Sequence, residues 1–90
     1  MKRWSYSKRL KMASSAEPSI LKKLANDPHS DVREAVGGNP YAPKDTLRYF
    51  ACYECCLLVL KAVLLNPSTP EDIKDKLNEK IQRYSEEKVN

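Results

Sequence analysis

Val32-Arg33-Glu34-Ala35-Val36-Gly37-Gly38-Asn39-Pro40-Tyr41-Ala42-Pro43 returns 27 residues later as Val59-Leu60-Lys61-Ala62-Val63-Leu64-Leu65-Asn66-Pro67-Ser68-Thr69-Pro70. The Asn-Pro-x-x-Pro ending repeats, and so does the spacing of the apolar residues before it. Upstream, Leu21-Lys22-Lys23-Leu24-Ala25 aligns with Leu47-Arg48-Tyr49-Phe50-Ala51, now 26 apart, so one extra residue lies between Ala51 and Val59. A third, partial unit from Pro70 places Leu77 where Leu24 and Phe50 stand. Self-similarity in several classes of position at once signals a repeat architecture, in which each unit buries its apolar face on its neighbour.

Each unit reads as two short helices. Ser14 and Glu17 have capping-box spacing, Pro18 suits a first turn, and Ile20, Leu21, Leu24 and Ala25 share one face. Asn26-Asp27-Pro28-His29 breaks that helix. Ser30 is the expected cap of the next, with Asp31 and Glu34 near its positive end, and Gly37-Gly38 the expected stop. Each proline of the motif disfavours helical geometry in the residue before it. Thr69-Pro70-Glu71-Asp72 reads as cap, proline and two acids, opening a last helix over about 70–86 with Ile73, Leu77, Ile81 and Tyr84 along one face. No stretch alternates with period two. The expected fold is all-α: a short right-handed α-solenoid of alternating α and short or 3₁₀ helices, about two and a half repeats. Residues 1–13 form a basic N-terminal cap, 14–40 repeat 1, 41–67 repeat 2, and 68–90 a partial repeat with the C-terminal helix. Leu24, Val32, Val36, Phe50, Val59, Val63 and Leu77 are the expected core.

The pattern L-x-x-L-A-x-D-x-x-x-x-V-R-x-A-V-x-x-N-P-x-x-P resembles the leucine-rich repeat variant family. Here it runs through Leu21, Leu24, Ala25, Asp27, Val32, Arg33, Ala35, Val36, Asn39, Pro40 and Pro43. Over 47–70 it is weaker: Cys52-Tyr53-Glu54-Cys55-Cys56 takes the place of the Asp-containing turn, and Leu60 that of the arginine. The resemblance covers residues 16–77. It implies alternating α and 3₁₀ helices in a right-handed superhelix, found mostly in bacterial proteins, and it implies no enzymatic activity. One type in the family has a cysteine-rich iron–sulfur segment ahead of its repeats. The cysteines of this chain lie inside a repeat, so no cluster ligands carry over.

Composition bounds the function classes. Ninety residues suit one domain with a thin stability margin. The longest apolar stretch, Leu57 to Leu65, is interrupted by Lys61 and is too short to span a bilayer. The basic N-terminus has no apolar run behind it, so a secretory signal is not expected. Three clustered cysteines cannot all pair, and a reducing cytoplasm is the expected compartment. The net charge of +4 is concentrated at the front: residues 1–23 carry Lys2, Arg3, Lys8, Arg9, Lys11, Lys22 and Lys23 against Glu17 alone.

Three groups can carry function. Cys52, Cys55 and Cys56, with His29 from the loop stacked beside them, make up a Cys3His set suited to zinc, and the thiols alone suit an iron–sulfur cluster. On a continuous helix the same sulfurs fall at i, i+3 and i+4, and core packing is the preferred reading, with no cofactor. Lys2, Arg3, Trp4, Lys8, Arg9 and Lys11 can bind nucleic-acid phosphates, with Trp4 and Tyr6 available to stack. The competing reading makes Trp4, Leu10 and Met12 the apolar cover of the solenoid end. Arg33 is expected to pair with Asp27, Asp31 or inter-helix carbonyls. Tyr41, Tyr49 and Tyr53 are candidates for a surface. No phosphate loop, paired carboxylates or nucleophile–base pair stands out. The expected function is therefore a non-enzymatic, cytoplasmic protein-binding or scaffold module. The alternatives are nucleic-acid binding through the N-terminal segment and a metal-bearing or redox role for the cysteines.

Overall fold

The computed structural model describes residues 3–89, with side chains through residue 86. Its elements are all α-helices: α1 (Tyr6–Met12), α2 (Pro18–Leu24), α3 (Ser30–Gly37), α4 (Lys44–Tyr53), α5 (Leu57–Leu65) and α6 (Glu71–Val89). There is no strand among the described residues, and the expected 3₁₀ segments are not among the elements. None of α1 to α5 is long enough to be stable in isolation, so packing holds them. No helix among the described residues is long and apolar enough to cross a membrane.

Local rules explain where the helices start. Pro18 occupies the first helical position of α2, and its ring keeps Glu17 extended at φ −81°, ψ 112°. Glu17 is therefore the N-cap and not the third residue of a capping box. The Ser15 hydroxyl, not Ser14, accepts the Glu17 N–H at 3.0 Å. The α3 cap is also displaced from its expected place at Ser30. Asp27 Oδ1 accepts the His29 N–H at 2.9 Å, His29 stays extended, and its Nδ1 accepts the Asp31 N–H at 3.2 Å. Thr69, expected as a cap, turns its hydroxyl back to donate to the Val63 carbonyl at 2.6 Å.

All seven expected core residues are buried, joined by Leu21, Leu47, Leu60 and Ile73. Helix α5 is at the centre, packed against α3, α4 and α6, while α1 packs on α2 and α3. The molecule measures 43 × 27 × 17 Å.

At Gly37, α3 lies close against α5. A Cβ there would stand 2.8 Å from Val63 Cγ2, and Val63 is fully buried. Gly37 lies inside the helix and right-handed Gly38 caps it, so the expected glycine stop is in fact a helix-crossing device. Gly37→Ala gains about 1 kcal/mol of helix propensity but must push the helices apart, at a typical overpacking cost of 1–3 kcal/mol. We expect a net loss of stability in urea denaturation. The loss should shrink in Gly37→Ala/Val63→Ala, where the obstructing methyls are gone; equal losses in the two backgrounds would refute this role.

Two kinds of polar clasp tie successive turns together. Asn39 Nδ2 donates to Ala13 O (2.9 Å) and Ser15 O (2.8 Å), and its Oδ1 accepts the Tyr41 N–H at 2.8 Å. Asn66 repeats this 27 residues on: Nδ2 donates to Gly37 O and Asn39 O, both at 2.8 Å, and Oδ1 accepts the Ser68 N–H at 2.9 Å. The following proline holds each asparagine outside the helix, where its amide can reach back.

The second clasp is ionic. Arg9 Nε meets Asp27 Oδ2 at 2.6 Å while Asp27 receives the His29 amide. Arg33 meets Glu54 through Nε (2.9 Å) and Nη2 (3.2 Å), Glu54 receives the Cys56 amide at 2.9 Å, and Arg33 Nη1 donates to Asp27 O at 2.8 Å. Glu54 thus does for the second turn what Asp27 does for the first. The weaker match of the Cys52–Cys56 stretch to the Asp-containing turn thus leaves the acid's bonding intact.

Candidate functional site

The turn at Glu54 decides where the cysteines go. Accepting Arg33 draws Glu54 inward, α4 ends at Tyr53, and residues 54–56 are not helical. The i, i+3, i+4 stripe therefore does not form. Cys52 and Cys55 are exposed, and only Cys56 is partly buried against the core, which corrects the core-packing expectation for two of the three thiols. Cys52 Sγ accepts from Lys76 Nζ at 3.4 Å, whereas the Cys55 thiol donates weakly to Tyr53 O at 3.9 Å. His29 caps α3 with its ring against Tyr6, centroids 4.4 Å apart. Among the described residues no three His, Cys, Asp or Glu side chains form a group able to hold a metal ion.

The N-terminal cations are also dispersed. Arg9 is tied to Asp27, whose side chain is 3% exposed. Lys8 Nζ stands over the Trp4 ring at 5.5 Å, and Trp4 is 38% exposed, so it does not seal the core. Leu10 and Met12 do pack against the core. Arg3 and Lys11 are exposed, and Lys2 lies outside the described residues.

What the fold does assemble is an aromatic groove along α4. Tyr49 and Tyr53, one helical turn apart, stack at 5.2 Å with an interplanar angle of 43°. The Tyr49 hydroxyl donates to Asn26 Oδ1 in the α2–α3 turn, which fixes its ring, while Tyr53 is 71% exposed. Two open clefts meet here, of about 180 and 280 Å³, sharing Ala25, Asn26 and Tyr49. The first ends at the Lys22–Asp45 pair (3.0 Å), where the ammonium holds the Asp45 carboxyl below its ordinary range. The second ends at Arg33, Glu54, Cys55 and Cys56, and hydrogen bonding to Glu54 raises the Arg33 guanidinium above its ordinary value. The groove thus offers an aromatic face, with one ring held by Asn26, between two charged ends. Tyr41 is exposed but does not line it.

Of these residues the sequence analysis singled out Tyr49 and Tyr53 as surface candidates and Arg33, Cys55 and Cys56 for other roles, and it assigned none to Lys22, Asn26, Asp45 or Glu54. A signal for Glu54 existed, because it stands 27 residues after Asp27, the period of the Asn-Pro motif. Nothing in the sequence pairs Asn26 with Tyr49. Compared with known proteins, the chain matches no family model, no curated protein and no solved structure.

Proposed function

We propose that this chain is a non-enzymatic protein-binding or scaffold module built on short helical repeats of the leucine-rich repeat variant kind, and that it takes a partner segment in the Tyr49/Tyr53 groove. The repeat reading is supported by the recurrence at 27 residues of the asparagine clasp and of the buried acid that takes an arginine and the amide two residues on. Three free thiols accord with a reducing, cytoplasmic setting.

The observation that carries the binding reading is the exposed Tyr49–Tyr53 pair, with one ring held by Asn26. Tyrosine spends little side-chain entropy on contact and is enriched at energetic hot spots. The complementary partner is a protein segment with an apolar side chain for the rings and polar flanks for Lys22–Asp45 and Arg33–Glu54.

A photo-crosslinking residue placed at Tyr53 tests this. It should give a discrete adduct that unmodified protein competes away, and one placed at exposed Lys61 should not. Against the partner so identified, Tyr53→Ala should weaken binding at least tenfold, about 1.4 kcal/mol or more, with an unchanged unfolding midpoint. Equal adducts from both positions, or a Tyr53→Ala variant that binds normally, would remove the groove from consideration.

A further inference from the structure

A second surface, away from the tyrosine groove, lies between α4 and α6. Two adjoining clefts share Ala51, Cys52 and Lys76; the larger, about 300 Å³, is also lined by Lys80, Arg83 and Glu79. Lys76, Lys80 and Arg83 follow one another at i, i+4 and i+7 along one flank of α6. At 1.5 Å per residue the row spans about 10 Å. None of the three has a carboxylate partner within ion-pair distance among the described residues.

Their contacts leave donors free. Lys76 Nζ reaches Cys52 Sγ at 3.4 Å, and Lys80 Nζ donates to Ala51 O at 3.1 Å, satisfying a carbonyl in the last turn of α4. An ammonium has three N–H donors and a guanidinium five, so among the described residues most of the donors of this row meet no protein acceptor. Among the described residues Glu79 is the one acid lining the larger cleft, and Asp72 in the neighbouring one is paired with Arg48 at 3.0 Å. Charge counting by segment hides this, because the C-terminal half is neutral overall. The helix brings the three cations onto one flank.

We propose that the α4–α6 cleft binds a ligand carrying two or more linked phosphates, held by Lys76, Lys80 and Arg83. Linked phosphates spread along this length can meet all three cations with less side-chain rearrangement than a single phosphate needs, through charge-assisted bonds stronger than neutral ones. Cys52 lies in the wall, so an occupied cleft covers its sulfur.

Sodium tripolyphosphate is the probe, titrated into the full chain at low salt with calorimetric detection. Saturable binding should weaken as salt rises and should exceed that of orthophosphate. Lys76→Gln/Arg83→Gln should lose at least tenfold in affinity. Lys11→Gln/Lys61→Gln, which removes the same net charge from other exposed positions, should lose less than twofold. Because a variant can misfold, wild-type protein supplies a second measurement: tripolyphosphate should slow alkylation of Cys52 several-fold and leave Cys55 unaffected. A short single-stranded oligonucleotide that binds more tightly than tripolyphosphate and is lost in the same variant assigns the phosphates to a nucleic-acid strand; tripolyphosphate binding as tight or tighter assigns them to a small molecule. No saturable binding, equal losses in the two double variants, or unprotected Cys52 would overturn the proposal.

Discussion

Asn66→Ala is expected to lose about 2–3 kcal/mol of stability, because it strands the buried Gly37 carbonyl, takes one of two donors from Asn39 O (which keeps the Ala42 N–H) and removes the acceptor of the Ser68 N–H. The Asn66 amide is 2% exposed and supplies both bonds to Gly37 O and Asn39 O. A chain of this length has a total stability on the order of 5–13 kcal/mol, so the loss should shift a urea midpoint conspicuously. Asn66→Asp sharpens the test. It keeps an acceptor for Ser68 N–H but points oxygen at two carbonyls, and it should be at least as destabilising at neutral pH. Burial beside those carbonyls raises the carboxyl above its unfolded value, so the Asp variant should regain stability as pH falls through that raised pKa. The Ala variant should show no such recovery relative to wild type. A cost below about 1 kcal/mol for Asn66→Ala would mean that the clasp follows the packing and does not hold it.

Arg33→Met should cost about 3–5 kcal/mol by leaving the Glu54 carboxylate buried and without its counterion. That carboxylate is 6% exposed and would keep only the Cys56 amide. Glu54→Gln should cost less, since its carbonyl oxygen still accepts from Arg33 or Cys56. Arg33→Met/Glu54→Leu should recover part of the loss, because an apolar pair leaves no buried charge. Equal losses in Arg33→Met and Arg33→Met/Glu54→Leu would place the cost in lost packing of the arginine stem. Arg9→Met should behave in the same way through Asp27, since the geometry there matches. A phosphate-binding arginine could be removed with no loss of stability.

The two clasps show why some positions could be read from the chain and others not. Asn39-Pro40 and Asn66-Pro67 were conspicuous because proline constrains its neighbour in any context, and their amides do reach back across the turn. The cap errors, three residues at α2 and one at α3, have local causes: Pro18 keeps Glu17 out of α2, and Asp27 holds His29 out of α3. The cysteine stripe failed for a long-range reason. Periodicity assumes a continuous helix, and Arg33, 21 residues away, draws Glu54 inward and ends α4 three residues before Cys56.

By itself, the sequence determined the all-helical class, the apolar positions of the core and the recurrence of the Asn-Pro breaks. These follow from interactions spanning a few residues, which the order of residues states directly. The tertiary structure alone decided that Arg33 reaches Glu54, that Gly37 admits Val63, that Asn26 fixes Tyr49 and that Lys76, Lys80 and Arg83 share a cleft with Cys52. Each depends on which helix flank meets which neighbour. That is set by how all the side chains pack together, and no local pattern encodes it.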